Sequence, residues 1–130
     1  MDFYFDEQLP KVVAEALNVL ESREGVNRVL STETEFGKGV KDVELYNKLK
    51  DAHGVLVTHD LKMITRKAEF ALIKHLGVSV FVLSLPSGAN FEFQHQTIIA
   101  KWAKIKELYR KNNSSPFVCR IKMRGDPEFL

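Results

Sequence analysis

The chain has 130 residues, of which 45% are hydrophobic and 28% are charged, a composition that predicts one folded domain over residues 1–130 and excludes a disordered chain. The formal net charge of +2 is too small to indicate a nucleic-acid-binding protein by itself. No apolar run approaches the roughly 20 residues that a membrane span needs, the N-terminus does not resemble a signal peptide, and Cys119 is the single cysteine. We therefore expect a protein of the reducing cytoplasm with no membrane partner.

The first part of the chain alternates short apolar segments with amphipathic ones. Residues 2–6 predict a buried strand, 8–22 a helix and 26–30 a second strand. Residues 31–41 predict a loop, because this segment has two glycines and no hydrophobic period. The helix is expected to bury the apolar residues that recur every three or four positions, which are Leu9, Val12, Val13, Ala16, Leu17 and Leu20.

The middle of the chain continues this alternation. Residues Asp42–Ala52 predict a helix, and 54–58 predict a strand that is covered on both faces, because GVLVT is almost wholly apolar. Residues 61–75 predict a third helix, and 78–85 predict a central strand that ends at the turn Pro86-Ser87-Gly88. The helix at 42–52 is expected to bury Leu45, Tyr46, Leu49 and Ala52.

The C-terminal part predicts a long helix over 91–111, a turn over 112–116 and a half-buried edge strand over 117–124, followed by a frayed tail. The long helix is expected to bury Ile98, Trp102, Ile105 and Tyr109. The whole alternation of strands and helices predicts an α/β fold, a three-layer α/β/α sandwich with a mostly parallel central sheet.

Three carboxylates are expected to meet at one edge of this sheet. Asp6 ends the first strand, Asp60 follows the third, and Asp42 opens the helix that leads into the third. Open parallel sheets bind their ligands at this edge, the carboxyl ends of the strands. Carboxylates repel one another unless a cation lies between them, and oxygen ligands without cysteine favour Mg²⁺ or Mn²⁺. Such an ion activates water and stabilises charge on a phosphodiester. The Thr58 hydroxyl is placed to brace the carboxylate of Asp60.

Each of these acids also has a simpler interpretation. Asp42 is a suitable N-cap for its own helix, and Asp6 and Asp60 are suitable solvated residues at strand ends. Glu7 is either an additional ligand or an acid of the first helical turn, where it complements the helix dipole.

Three segments together resemble the PIN-like domain family: FDEQLP before an amphipathic helix, then FGKGVKDVEL, then VLVTHDLKM. Members of that family typically open with an Asp-Glu-Asn-Leu-Pro-type motif. A glycine-containing loop then leads to an acid that starts a helix, and a Val-Thr-x-Asp strand end follows. The resemblance covers roughly residues 1–85 and implies a metal-dependent ribonuclease, which in many members is the toxin of a toxin–antitoxin pair.

The resemblance also implies roles for particular residues. It assigns Asp6, Asp42 and Asp60 to the metal, Mg²⁺ or Mn²⁺, and Thr58 to the hydroxyl before the last acid. Gln8 stands where the family usually has asparagine. The fourth acid that the family often carries has no clean match, because Glu69 falls in the middle of a predicted helix. The implied partners are a single-stranded RNA substrate, an antitoxin protein and a second copy of the chain.

Two other interpretations stay open. A phosphoacceptor receiver domain also has an acid pair after its first strand and an aspartate after its third; Asp60 would be the acceptor and Ser84 the hydroxyl after the fourth strand. Against it, Asp42 has no role there, and Lys122 falls inside the predicted last strand rather than at its end. A non-catalytic binding module that keeps the fold is the second alternative.

The positive charge is concentrated in residues 101–124. In the predicted last strand, Arg120, Lys122 and Arg124 project from one side at a spacing of about 6.6–6.8 Å, close to the phosphate repeat of extended RNA. A solvated surface is the simpler interpretation. The functional one is that these three cations hold RNA phosphates and offset the repulsion between the substrate and the acids.

Overall fold

The computed structural model describes residues 1–85 and 90–130, so the predicted turn at Pro86-Ser87-Gly88 lies outside the described residues. The strands are β1 Asp2–Phe5, β2 Arg28–Ser31, β3 Val55–Thr58, β4 Ser79–Leu83, β5 Val118–Ile121 and β6 Glu128–Phe129. The helices are α1 Lys11–Glu21, α2 Thr32–Phe36, α3 Asp42–Ala52, α4 Lys62–Thr65, α5 Lys67–Leu76 and α6 Phe91–Asn112. In these two ranges, no helix has both the length and the apolar character that crossing a bilayer requires.

One sheet joins all six strands in the order β2-β1-β3-β4-β5-β6. Neighbouring strands are parallel except for β5 and β6, which are antiparallel. The chain moves from β1 to β2 in one direction and then returns past β1 to place β3 on the other side. The strand order therefore reverses between β1 and β3, and at such a point an open parallel sheet leaves a crevice at its carboxyl edge.

Helices cover both faces of the sheet, so the predicted three-layer α/β/α sandwich with a mostly parallel sheet is confirmed. On one face α1 and α6 pack over a cluster that includes Phe3, Phe5, Val57, Phe81, Ile98 and Trp102. On the other face α3, α4 and α5 pack over a cluster that includes Tyr4, Leu56, Val80, Tyr46, Leu49 and Ile73. Because alternate residues of one strand enter opposite clusters, Phe3–Phe5 of β1 and Val55–Val57 of β3 are continuously apolar.

Helix α1 buries a different face from the predicted one. Val12 and Leu20 are 53% and 58% exposed, and the buried residues are Val13, Ala14, Leu17 and Glu21. Apolar residues lie all around this helix, so their period alone could not select the buried side. Contacts with β2 and α6 select it: the Val29 N–H of β2 donates to Asn18 Oδ1 at 2.9 Å, and Trp102 Nε1 of α6 donates to Glu21 Oε1 at 2.8 Å.

Three further local predictions are wrong. The segment 31–41 is not all loop: α2 begins after Ser31, whose hydroxyl accepts from the Thr34 N–H at 3.4 Å, and Phe36 stacks on the Tyr4 ring. The helix predicted over 61–75 is two helices, because Arg66 has an extended ψ of 113° between α4 and α5. Ala52 at the end of α3 is exposed, not buried.

The C-terminal prediction is also wrong in its geometry. Strand β5 ends at Ile121, and the tail is not frayed, since β6 pairs with β5 and forms the edge in its place. Val118 is 1% exposed in the second cluster, so β5 is covered on both faces at that point. Arg124 lies exposed beyond the strand. The predicted row of three cations on one side of a strand therefore does not exist.

Gly54 is expected to be intolerant of a side chain. A Cβ at this position would lie 2.4 Å from Tyr4 Cε2, and the Tyr4 ring is 5% exposed and stacked on Phe36. Overpacking of this kind typically costs about 1–3 kcal/mol, so Gly54→Ala should lower the free energy of unfolding, measured by urea denaturation, by that amount. In a Tyr4→Val background the smaller side chain should remove most of the cost. An equal cost in both backgrounds would contradict the steric explanation.

Candidate functional site

The carboxyl edge between β1 and β3 brings Asp6 next to Thr58. The register pairs Phe5 with Val57, and the Asp6 N–H continues the ladder to the Val57 carbonyl at 2.9 Å. Thr58 Oγ1 donates to Asp6 Oδ2 at 3.0 Å and accepts from the Asp60 N–H at 3.1 Å. The fully buried Thr58 therefore braces the carboxylate of Asp6 and only the backbone of Asp60, so the prediction that it braces the Asp60 carboxylate is wrong.

Asp6 accepts two hydrogen bonds but has no ion-pair partner among the described residues. Its Oδ1 accepts from the Glu7 N–H at 2.9 Å, so both carboxylate oxygens are engaged. Burial nevertheless raises the pKa of Asp6, and the carboxylates of Glu7 and Asp60 raise it further, against the lowering effect of the two hydrogen bonds. Within the described residues, no Lys, Arg or His forms an ion pair with Asp6, Asp42 or Asp60.

Asp42 lies at the same site and does not cap its helix. It is the first residue of α3, Lys41 occupies the N-cap position, and no side-chain capping hydrogen bond is made there, so the N-cap interpretation is wrong. A cavity of about 80 Å³ at the carboxyl edge is lined by residues that include all three predicted aspartates, Asp6, Asp42 and Asp60.

Glu7 lines this cavity too. Helix α1 begins at Lys11 and has no acid in its first turn, so the helix-dipole interpretation of Glu7 is wrong. Its Oε2 accepts from the Gly39 N–H at 3.0 Å. Gly39 has a φ of +73°, a conformation that glycine adopts without strain. Glu7 therefore ties the glycine loop, and with it the start of α3, to the end of β1.

Glu69 is the acid that the sequence interpretation missed. Its side chain is 10% exposed, and the Tyr46 hydroxyl donates to its Oε1 at 2.7 Å. Burial raises the pKa of Glu69, and the adjacent carboxyl groups of Asp42 and Asp60 raise it further, although the Tyr46 hydrogen bond lowers it. The available signal was helical spacing: Glu69 lies four residues before the buried Ile73, on the same face of α5.

The arrangement suits a hard cation by its chemistry. In residues 1–85 and 90–130, no three His, Cys, Asp or Glu side chains are close enough to form a ready-made metal cluster. The donors around the cavity are nevertheless carboxylate oxygens, which Mg²⁺ and Mn²⁺ prefer. Burial raises the pKa values of Asp6 and Glu69, and neighbouring carboxylates raise them further; a bound divalent ion would offset that repulsion. The donor set therefore fits such an ion.

The three predicted RNA-binding cations are not equivalent. Arg120 pairs in register with Val82, and Val82 with Thr58, so Arg120 lies level with Asp6 on the same face, about 14 Å away across three strand spacings. Lys122 and Arg124 follow the end of β5. Their role in binding RNA stays a prediction.

Comparison with known proteins gives one result that bears on this site. A family model described as a PIN like domain matches residues 1–85, which include β1 through β4 and all the acids around the cavity. Searches of curated proteins and of solved structures gave no match. Because the matched segment is more than half of the chain, this protein belongs to the PIN-like domain family.

Proposed function

We propose that this protein is a Mg²⁺- or Mn²⁺-dependent endoribonuclease that cleaves single-stranded RNA. The observation that carries the proposal is one cavity, at the point where the strand order reverses, that is lined by Asp6, Asp42 and Asp60. None of the three forms an ion pair with another described residue. Membership of the PIN-like family supports the same class of activity. Asp6 and Asp60 are half-buried and Asp42 is exposed, but carboxylates held this close repel one another, and a nuclease site accounts for their retention.

The residues of the site divide into ligands and positioning groups. Asp6, Asp42 and Asp60 would hold the ion, and Glu69 or Glu7 would add a further carboxylate. When bound, the ion supplies charge stabilisation and an activated water at the scissile phosphodiester. Thr58 fixes Asp6 and Asp60 relative to each other. Because the pKa values of Asp6 and Glu69 are raised, protons compete with the ion, and activity should rise as the pH passes above both values.

The proposal is tested with purified protein, Mn²⁺ and end-labelled RNA in single-stranded and duplex forms. We expect internal cleavage of the single strand, little cleavage of the duplex, and loss of activity with EDTA. Asp60→Asn should lower the rate roughly 10²- to 10³-fold, as the loss of one charge-stabilising group typically does. Asp51→Asn is the matched control, because Asp51 lies in the last turn of α3 beside the amino ends of the strands. Intact RNA under all metal conditions would leave the non-catalytic binding module as the better account.

The cellular part of the proposal rests on the family resemblance. We propose a cytoplasmic toxin whose partner is an antitoxin protein, acting as a monomer or as a homodimer. Expression of the wild-type chain alone should arrest growth, whereas Asp60→Asn should not. Equal growth with both variants would remove the toxin role without affecting the proposed nuclease chemistry.

A phosphoacceptor receiver is the second candidate, and two observations favour it. Ser84 follows β4, and Lys122 follows the end of β5 directly, so the argument that Lys122 lies inside a strand is wrong. The order β2-β1-β3-β4-β5 is also that of a common doubly wound sheet found in receivers. In contrast, Lys122 Nζ lies 3.4 Å from Glu128 Oε2, and Asp42 has no role in a receiver. Rapid labelling of Asp60 by a small acyl phosphate would favour this candidate over the nuclease.

A further inference from the structure

We infer that a groove beside the acid cavity, with Lys62 and Arg66 in its wall, binds the phosphate backbone of the single-stranded nucleic acid substrate. This inference rests on the proposed nuclease function and names the residues that hold its substrate. It places the contacts on the segment around α4 and not on Arg120, Lys122 and Arg124.

The groove is continuous with the acid cavity. It has a volume of about 580 Å³ and is lined by Gln8, Asp42, His59, Asp60, Leu61, Lys62 and Arg66. Gln8, Asp42 and Asp60 also line the acid cavity. A strand of nucleic acid that lies in this groove would therefore pass directly over the carboxylates.

The two cations in the wall are available to a ligand. In the part of the chain that the structure describes, the Lys62 ammonium forms no ion pair. The Arg66 side chain is 61% exposed, and its contact with Glu69 Oε2 is long, at 3.9 Å. The Lys62 N–H donates to Asp60 Oδ1 at 3.1 Å, which ties the position of this lysine to the site. Cations placed here would offset the repulsion between phosphates and the acids.

Two of the three cations predicted to bind RNA, Arg120 and Lys122, are engaged elsewhere. Arg120 Nε donates to Ser84 Oγ at 2.9 Å, and Lys122 is paired with Glu128. Neither residue lines the groove or the acid cavity. A phosphate would have to displace these contacts at the end of β5, whereas among the described residues the Lys62 ammonium has no ion pair to displace.

The composition of the groove also indicates how the substrate is recognised. Among the described residues that line it, none is Phe, Tyr or Trp, and the His59 ring is held by a 3.0 Å hydrogen bond between Nε2 and the Gln8 carbonyl. Binding through stacked bases needs aromatic faces, whereas phosphate contacts carry no sequence information. We therefore expect recognition of the backbone with little preference for base sequence.

The test measures binding of fluorescent single-stranded RNA in an Asp6→Asn background, so that cleavage does not interfere. Lys62→Gln and Arg66→Gln should each weaken binding roughly threefold to tenfold, and each should reduce the slope of log K against log salt by about 0.7. Lys67→Gln is the matched control: Lys67 is exposed at the start of α5 and does not line the groove. It should leave both quantities unchanged.

The outcomes separate this inference from the proposed function. The inference would be overturned, and the proposed function would stand, if Lys62→Gln and Arg66→Gln left the affinity and the salt slope unchanged and if the same substitutions, made in the protein with its native Asp6, left RNA cleavage intact. If the triple variant Arg120→Gln, Lys122→Gln, Arg124→Gln then showed a smaller slope of log K against log salt, the phosphates would bind at the end of β5 instead. An affinity that varies more than about tenfold among RNAs of different base composition would overturn the backbone mode. Absence of both RNA binding and RNA cleavage in the wild type would overturn the proposed function itself.

Discussion

Asp6→Asn is expected to lower metal-dependent RNA cleavage roughly 10²- to 10³-fold, the loss typical of removing one group that stabilises developing charge. Asp6 is the acid on which the site is organised, since Thr58 Oγ1 and the Glu7 N–H both donate to its carboxylate. Asparagine keeps the size of the side chain and an oxygen that accepts a hydrogen bond, but it loses the charge. The fold should be retained, as circular dichroism would show.

The same change should stabilise the metal-free protein at pH 7. The pKa of Asp6 is raised in the folded state, first by burial, so its contribution to stability is fully present below its unfolded pKa and is lost as the pH rises through the folded value. Asparagine does not ionise, so the variant does not lose this stability as the pH rises. The variant should therefore unfold at a higher temperature than the wild type at pH 7, and the difference should shrink toward pH 4.

With Mn²⁺ added, the wild type should unfold at a higher temperature than Asp6→Asn, because an ion that binds only the folded wild type stabilises it by mass action. Asp51→Asn is the control here too, with full cleavage and a stability within about 0.5 kcal/mol of the wild type. If Asp6→Asn cleaves RNA at the wild-type rate, Asp6 does not hold the ion. If its melting temperature still rises with Mn²⁺ as in the wild type, the ion binds elsewhere.

Lys106→Met is expected to lower the free energy of unfolding by about 3–5 kcal/mol, the range for leaving one charge of a buried pair without its partner. Lys106 Nζ donates to Glu21 Oε1 at 2.6 Å, and the same oxygen accepts from Trp102 Nε1 at 2.8 Å. The Glu21 side chain is 5% exposed. A small domain has a total stability of roughly 5–15 kcal/mol, so this one change should bring the protein close to unfolding.

The pH dependence of this effect has a definite sign. Burial raises the pKa of Glu21, but hydrogen bonds from Lys106 and Trp102 outweigh it and leave the value lowered. The wild-type pair therefore contributes stability above the unfolded pKa and loses it as the pH falls through the folded pKa. Without Lys106, burial dominates and the folded pKa rises. The difference in free energy of unfolding between the wild type and Lys106→Met, measured with urea, should be largest at pH 7 and should become smaller on acidification.

A surface pair on the same helix provides the control. Lys111 and Glu107 are 2.7 Å apart, but their side chains are 59% and 42% exposed, so Lys111→Met should cost no more than about 0.5 kcal/mol. Glu21→Gln combined with Lys106→Met should recover part of the loss, because glutamine is neutral and still accepts from Trp102. Equal costs for Lys106→Met and Lys111→Met would show that burial of the pair does not decide its contribution.

The arrangement of the sheet was largely predictable from the sequence, because its signals are local. The run GVLVT predicted a strand covered on both faces, and Val55–Thr58 is buried throughout. Asp6 and Asp60 follow such strands, and β1 and β3 are neighbours in the sheet. Two acids after adjacent parallel strands must lie at the same edge, so their convergence on one cavity needed no knowledge of side-chain packing.

The rest was decided by contacts between segments far apart in the chain. Glu69 joins the acids because the chain bends at Arg66 and α5 packs beside α3, where Tyr46 meets it. Glu21 turns inward because Trp102, 81 residues later, donates to it. The period of an apolar stripe gives the shape of a helix but not the identity of its neighbours. Strand β5 became internal because Glu128–Phe129 pairs with it. Backbone pairing of this kind depends on which groups the folded chain leaves unpaired at an edge, and no residue of β6 carries that information by itself.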